Sequence, residues 1–257
     1  MTTYPNKTHF AFLTISLALG LLILANACSA AEEKKKNCAS NDTACLILEL
    51  ESVTDSIDNQ KWRDQTYREI AKLLAKEKKT DQAIVLINKI EHPDTKALTI
   101  RGIGMTAAQT DMSKAEFDQM FLSLRNYAEK IEHPPSYAIA LTYIAMAQAF
   151  AGDDEGAMKT ALDMKNDALR NKALAESAEI QAERGDLAQA LKSIEKVDSP
   201  AFRNKAYRLI SKIFAQQQNY DDALSSAEQI DNSYQKAQAI LFILAQQISP
   251  EEVVLVE

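Results

Sequence analysis

The chain has 257 residues, of which 46% are hydrophobic and 25% are charged, a composition that excludes a disordered chain and a protein built from many membrane spans. Glycine and proline number only 6 each, and alanine far outnumbers the β-branched valine, which disfavours an all-β or parallel-sheet fold. The net charge of −7 argues against nucleic acid and anionic membrane surfaces as partners.

The N-terminal segment has the pattern of a signal peptide. The apolar run from Phe10 to Leu24 has the length of the hydrophobic region of such a peptide. Ala25-Asn26-Ala27 then supplies the small residues of a cleavage site, and Cys28 comes next. The sequence therefore predicts a signal peptide over residues 1–27, followed by a charged tether over residues 28–41.

The cysteine after this cleavage site resembles the signal of bacterial lipoproteins, and the resemblance implies a lipid on Cys28. The preceding residues depart from that family's pattern, because Ala25 and Asn26 stand where leucine and a small residue are preferred. The alternatives are cleavage near Ala27 or Ala31 without lipid, and an uncleaved membrane anchor. All three place the rest of the chain outside the cytoplasm, in the periplasm or cell envelope, or secreted.

Two further cysteines, Cys38 and Cys45, lie seven residues apart. In an oxidising compartment such a pair predicts a disulfide, and its short loop limits the stabilisation to about 2 kcal/mol in the loop-entropy model. A redox or metal role is the alternative. It is disfavoured because the pair lacks Cys-x-x-Cys spacing and has no histidine nearby.

An apolar residue followed by a short polar turn recurs along the chain. These anchors are Ile57, Ile90, Ile131, Met164, Val197 and Ile230. They are spaced by 33 residues, except for one interval of 41. The residue two positions after each anchor is Asn, His or Ser, and the residue eighteen positions after it is Ala in five of the six cases. Agreement at one fixed period indicates tandem repeats.

Each repeat has the pattern of two helices joined by a tight turn. The polar residue two past the anchor is typical of an N-cap, and proline follows it in three repeats. Gly152-Asp153 and Gly185-Asp186 then mark the end of the first helix, helix A, and the start of the second, helix B. The longer interval predicts about two additional turns of helix B in the second repeat.

These features resemble the tetratricopeptide repeat family, in which small residues and a glycine recur at set spacings. Ala178, Gly185 and Ala190 stand at that spacing, although the period is 33 and not 34 residues. The resemblance implies an all-α fold, a right-handed αα-superhelix of about five helical hairpins with capping helices. It places the repeat domain at residues 42–249 and a C-terminal tail at 250–257. Another kind of αα-solenoid is the alternative.

The sequence contains few candidate catalytic or metal-binding residues. His92 and His133 each follow a glutamate at equivalent points of two repeats, so they could form a metal or acid–base cluster. Both stand in the N-cap column, which favours a structural role. Acids one past the anchor and bases six past it, such as Asp198 and Arg203, predict exposed ion pairs between repeats. We expect no catalytic residue, no metal and no cofactor.

The tetratricopeptide resemblance implies that helix A lines a concave groove. Its groove positions, carried over along the repeat columns, give a basic surface with an apolar centre: Arg68, Lys72, Arg101, Ile139, Met146, Phe150, Lys172, Lys205, Arg208 and Lys212. Glu179 and Glu183 interrupt this surface. A groove of this kind would bind a protein or peptide with acidic groups or a C-terminal carboxylate. The alternative is that these lysines and arginines are ordinary solvated residues.

The sequence thus favours a non-enzymatic adaptor that binds protein or peptide partners in the bacterial cell envelope. A second hypothesis is a ligand-binding or sensory module that holds a small anionic molecule in the same groove. An enzyme is a third, and it lacks a recognisable site in the sequence. The membrane would be contacted only through a lipid or an uncleaved signal.

Overall fold

The computed structural model describes residues 38–249, and the predicted all-α class is confirmed there. This part of the chain forms twelve α-helices and one short 3-10 helix, with no strand. The helices are α1 (Thr43–Asp55), α2 (Gln60–Lys76), α3 (Thr80–Val85), the 3-10 helix (Leu86–Lys89), α4 (Pro93–Ala107), α5 (Lys114–Ala128), α6 (Pro134–Phe150), α7 (Asp154–Leu162), α8 (Asp167–Glu183), α9 (Leu187–Glu195), α10 (Pro200–Gln216), α11 (Tyr220–Glu228) and α12 (Ser233–Ile248).

Within the described residues, the chain divides into two compact units between Leu46 and Ile47. In the described part of the first unit, the Cys45 N–H donates to Asp42 Oδ1 at 3.0 Å and so caps the start of α1. The sulfur atoms of Cys38 and Cys45 lie at bonding distance and their Cα atoms 5.5 Å apart, which is compatible with the predicted disulfide. The predicted signal peptide, Cys28, most of the tether and the predicted tail 250–257 lie outside the described residues.

Helices from α2 to α11 form successive pairs, as the repeat pattern predicts, and the second helix is the shorter one in every pair except α4 and α5, which have 15 residues each. Asn59, Asn166 and Asn232 cap α2, α8 and α12, because each side chain accepts a backbone N–H of the first turn. Proline opens α4, α6 and α10. His92 and His133 occupy N-cap positions, but neither side chain makes a capping hydrogen bond. α5 has 15 residues where α7, α9 and α11 have 9 each, in line with the longer repeat interval.

The long helices pack on one another in chain order. α2 contacts α4, α4 contacts α6, and the series continues through α8 and α10 to α12. The second helices of the pairs, α3, α5, α7, α9 and α11, each pack against the long helix that precedes them. Small buried residues fourteen positions after the anchors allow the long helices to approach closely: Ala71, Gly104, Ala145, Ala178 and Ser211. Among the helices between residues 38 and 249, none has the length and apolar character needed to span a membrane.

Arginines six past an anchor pair with acids one past the next anchor, so the predicted ion pairs between repeats form at Arg63–Glu91 and Arg170–Asp198. Arg170 donates to the carbonyl of Met164 at 3.1 Å and to Asp198 of the next repeat at 2.6 Å. Arg203 instead donates to the carbonyl of Val197, so the predicted pairing of Asp198 with Arg203 is wrong. The reason is geometric: the guanidinium reaches back to its own anchor carbonyl, and its other edge then faces the acid of the following repeat.

Candidate functional site

Three of the predicted groove residues surround one cavity between α2 and α4. Arg68 and Lys72 of α2 and Arg101 of α4 line a space of about 370 Å³, together with Leu98 and Met105. An adjoining space of about 800 Å³ shares Lys72 and is lined in addition by other residues of α2, α4 and their C-terminal turns: Leu73, Lys76, Lys78, Gln109, Thr110 and Asp111. Glu69 and Thr106 border both spaces. We refer to the two spaces together as the α2–α4 cleft.

Helix periodicity explains how the cleft forms. Arg68, Lys72 and Lys76 are spaced by four residues along α2, so their side chains lie on one face of that helix. The facing residues of α4 include Gly102, where a Cβ atom would lie 2.9 Å from Lys72 Cγ. The missing side chain at Gly102 therefore leaves room for the aliphatic stem of Lys72 along α4.

The cleft carries an excess of positive charge. Its lining holds five cations and two carboxylates: Arg68, Lys72, Lys76, Lys78, Arg101, Glu69 and Asp111. Glu69 accepts from Lys72 at 2.6 Å and from Arg68 at 2.9 Å, and the Lys72 hydrogen bond lowers the pKa of Glu69 most strongly. Lys78 pairs with Asp111 and lowers the pKa of that carboxyl in the same way. The lowered pKa values keep both carboxylates ionised at neutral pH, so the cleft has a net positive charge.

Arg101 has its guanidinium over the ring of Tyr143 on α6, with 5.4 Å from the guanidinium carbon to the ring centre. This contact holds the charge of Arg101 beside an aromatic ring at the edge of the cleft. The edge of the group, which carries its N–H donors, is the part that recognises carboxylates.

The predicted apolar centre of the groove is half-buried in the protein core. Ile139 of α6 packs against the main core cluster. Met146 and Phe150 pack against a small cluster formed by Ala149, Ala157 and Ile180. These three side chains therefore contribute to folding and leave only part of their surface for a partner.

The remaining predicted basic residues lie on α8 and α10, and they are not part of the α2–α4 cleft. Arg208 donates to Gln238 of α12 at 3.2 Å, and the Lys212 ammonium lies 4.9 Å from the ring centre of Phe242. Lys172 lies 3.6 Å from Glu176 on its own helix, and Lys205 is exposed. Arg208 and Lys212 thus bridge α10 and α12 in addition to any contact with a ligand.

Acidic side chains on α8 lie within this second basic group, between Lys172 and Lys205 along the chain. Burial raises the pKa of Glu179, and the neighbouring Glu183 and Glu176 raise it further. Such a carboxyl group is an unfavourable neighbour for an acidic ligand. The structure therefore concentrates the predicted basic site in the first two repeats.

A histidine, a serine and an aspartate meet at the start of α6, a cluster that the sequence did not reveal. His133 Nδ1 lies 2.7 Å from Ser136 Oγ, and Ser136 donates to Asp94 of α4. In a nucleophilic triad the histidine stands between the serine and the acid, whereas here the serine stands in the middle. Ser136 is also fully buried, so its hydroxyl cannot meet a substrate. The cluster joins the first turns of α4 and α6.

Metal-binding side chains do not gather in the part of the chain that the structure describes, where three or more of His, Cys, Asp and Glu nowhere share one potential site. His92 and His133 lie at successive repeat junctions. The backbone N–H of His92 donates to the buried Asp64 at 2.8 Å, and the His133 ring contacts Ser136. Each histidine therefore takes part in a junction between long helices.

Neither a known protein family nor a curated protein matches this chain.

Proposed function

We propose that this chain is a non-enzymatic adaptor of the bacterial cell envelope that holds an acidic protein or peptide segment in the α2–α4 cleft. The observation that carries the proposal is the cavity that Arg68, Lys72 and Arg101 line together. In this proposal the successive hairpins form a tetratricopeptide-like right-handed superhelix. The contacts between long helices in chain order and the small residues between them support that arrangement.

The composition of the cleft supports a peptide as the ligand. Leu73 and Leu98 expose 50% and 37% of their surface beside the cations. A partner that supplies carboxylates to the cations and apolar side chains to the two leucines would satisfy both parts of the lining. The two adjoining spaces give room for several residues of an extended segment.

The envelope location is supported by the N-terminal signal and by the cysteine pair. The signal pattern of residues 1–27 predicts export, with or without a lipid on Cys28. Cys38 and Cys45 lie at bonding distance, a pairing that persists in oxidising compartments.

A small anionic molecule is the second candidate ligand. The smaller space, of about 370 Å³, falls within the range of small-molecule sites, and its two arginines, Arg68 and Arg101, suit carboxylate or phosphate groups. In that case the chain would act as a binding or sensory module.

A binding experiment separates the two candidates. The probe is a set of fluorescent ten-residue peptides rich in Glu and Leu, each with a matched version in which Gln replaces Glu. We expect the acidic peptides to bind in preference to their matched versions and to bind more weakly as salt rises, because exposed charges are screened over about 8 Å at physiological ionic strength.

The variant Arg68→Glu/Arg101→Glu should bind the acidic peptides at least about tenfold more weakly, a loss of about 1.4 kcal/mol. Lys172→Glu/Lys205→Glu is the matched control, because it makes the same change in net charge at two exposed cations outside the cleft. Equal binding by the folded double variant would exclude the cleft. Saturable binding of citrate or phosphate without peptide binding would select the small-molecule function.

A further inference from the structure

The last described helix, α12, exposes an apolar stripe. Tyr234, Leu241, Leu244 and Ile248 expose 72%, 64%, 44% and 78% of their surface, and Ala237 between them is also exposed. α12 packs against α10 and α11 through other side chains, including the buried Ala239 and Ile243. The stripe therefore lies on the side of α12 that faces away from its helical neighbours.

The spacing of the stripe is that of a coiled-coil seam. Its residues 234, 237, 241, 244 and 248 alternate steps of three and four. Apolar residues repeated at this interval place their side chains along one line of a helix, where they fit between the side chains of a second helix. The spacing thus points to a helix as the occupant of this face.

The repeat columns show that the helix on this face of α12 is not the first helix of a further repeat. Fourteen past the anchor, the earlier repeats carry Ala71, Gly104, Ala145, Ala178 and Ser211, whereas α12 carries Leu244. At Gly104 a Cβ atom would lie 2.8 Å from the Cβ atom of Ala147 on the next long helix, so that column requires a small side chain. Eighteen past the anchor, alanine is likewise replaced by Ile248. Large side chains at both positions prevent the close approach that joins consecutive repeats.

The charge of α12 favours a second copy of this chain as the partner. Two chains with a net charge of −7 each repel one another, and contact is least unfavourable where charges are scarce. Lys236 is the sole charged residue of the 16 in α12, and its ammonium donates to the Glu228 carbonyl at 2.9 Å. The stripe can meet its own copy without placing like charges opposite one another.

We propose that the exposed stripe of α12 is a homodimer interface, in which the α12 helices of two copies pack along Tyr234, Ala237, Leu241, Leu244 and Ile248. A two-fold axis beside Leu241 brings this residue of one copy against the same residue of the other. The seam spans little more than two heptads, so the dimer should dissociate in the micromolar range, on the order of the weaker specific interfaces. This inference does not depend on the function of the α2–α4 cleft.

Sedimentation of the chain without its predicted signal peptide, residues 1–27, tests whether it dimerises. The concentration is varied between about 1 and about 200 µM, because that range spans the expected dissociation constant. The mass should rise from one chain to two. Leu241→Glu should remain a single chain throughout. Leu122→Glu, the same substitution at a 56%-exposed leucine of α5, should dimerise as the parent does. A parent chain that stays monomeric at the highest concentration overturns the proposal, and so does dimerisation of Leu241→Glu.

Cross-linking in cells gives an independent readout. Leu241→Cys should form a disulfide-linked dimer on mild oxidation, whereas Lys205→Cys and the parent should not. The tail 250–257 is a rival occupant of the stripe: if dimers appear only after its deletion, the tail covers α12 and the proposal is wrong.

Discussion

Single small residues set how closely neighbouring helices approach. Gly104 of α4 lies where the helix meets α6, and a Cβ atom there would lie 2.8 Å from the Cβ atom of Ala147. Gly102, two residues earlier on the same helix, would place a Cβ atom 2.9 Å from Cγ of Lys72. The first neighbour is the short side chain of Ala147, which is fully buried and cannot move away, whereas the second belongs to a flexible, partly exposed side chain.

This difference predicts opposite outcomes for two identical substitutions. Alanine in place of glycine inside a helix gains about 1 kcal/mol of helix propensity at either position. Gly104→Ala should nevertheless be destabilising, because overpacking of a tight contact costs about 1–3 kcal/mol. Gly102→Ala should be neutral or stabilising, since Lys72 can change its rotamer. Chemical denaturation of both variants measures the difference, and equal midpoints for the two would show that α4 and α6 do not meet as closely as described.

At the scale of helices, much of the arrangement follows from local signals. The prolines that open α4, α6 and α10 and the asparagines that cap α2, α8 and α12 are readable in the sequence, because their roles depend on only a few neighbouring residues. The length of α5 followed from the interval between Ile90 and Ile131 in the same way.

Contacts between repeats could not be predicted as well as the starts and lengths of the helices. Buried polar residues seven positions after the anchor escaped notice, because the column contains Asp64, Asn171 and Asn204 in three repeats and alanine in the others. Their partners are backbone N–H groups 27 residues later, such as that of Asp198. A residue column shows what recurs but not which atoms meet. The same limit explains the wrong partner predicted for Arg203.

The candidate site likewise shows that recurring residue columns do not reveal which side chains meet. Repeat columns placed Arg68, Arg101 and Arg208 at equivalent points, and the sequence therefore favoured one long basic groove. In the structure, the first two line the α2–α4 cleft, while Arg208 bonds to Gln238. Which cations face a cavity depends on the side chains of the next helix, and these vary from repeat to repeat.

The buried asparagines predict a specific energetic role at the repeat junctions. Asn171 is 4% exposed, and its Oδ1 accepts the Asp198 N–H at 2.9 Å. Asn171→Ala should cost about 1–3 kcal/mol, because it leaves a partly buried backbone donor without its partner. Lys172→Ala is the control, since that neighbour is exposed. Denaturant unfolding compares the two, and equal stability of both variants would mean that water replaces the lost acceptor without cost.

At the scale of the whole molecule, function depends on how the repeat domain is held in its compartment. An adaptor on a lipid anchor searches for partners along a membrane, whereas a released chain diffuses through the surrounding space. The N-terminal sequence offers a lipid on Cys28, simple cleavage, or an uncleaved anchor. These alternatives differ in how the chain responds to the loss of one thiol.

Cys28→Ser tests them directly. If Cys28 is lipidated, as we predict, the parent chain fractionates with membranes and gains the mass of its acyl groups, while the variant loses that mass and moves to the soluble fraction. The physical reason is that acyl chains bind the bilayer with about 0.8 kcal/mol per buried methylene, so removing them removes most of the membrane affinity. Cys38→Ser serves as the control, because it removes a cysteine without touching the signal, and it should stay in the membrane fraction.

A soluble parent with an unmodified N-terminus at another residue would instead establish simple cleavage. A parent chain that stays in the membrane with residues 1–27 still attached and no added acyl mass would establish the uncleaved anchor.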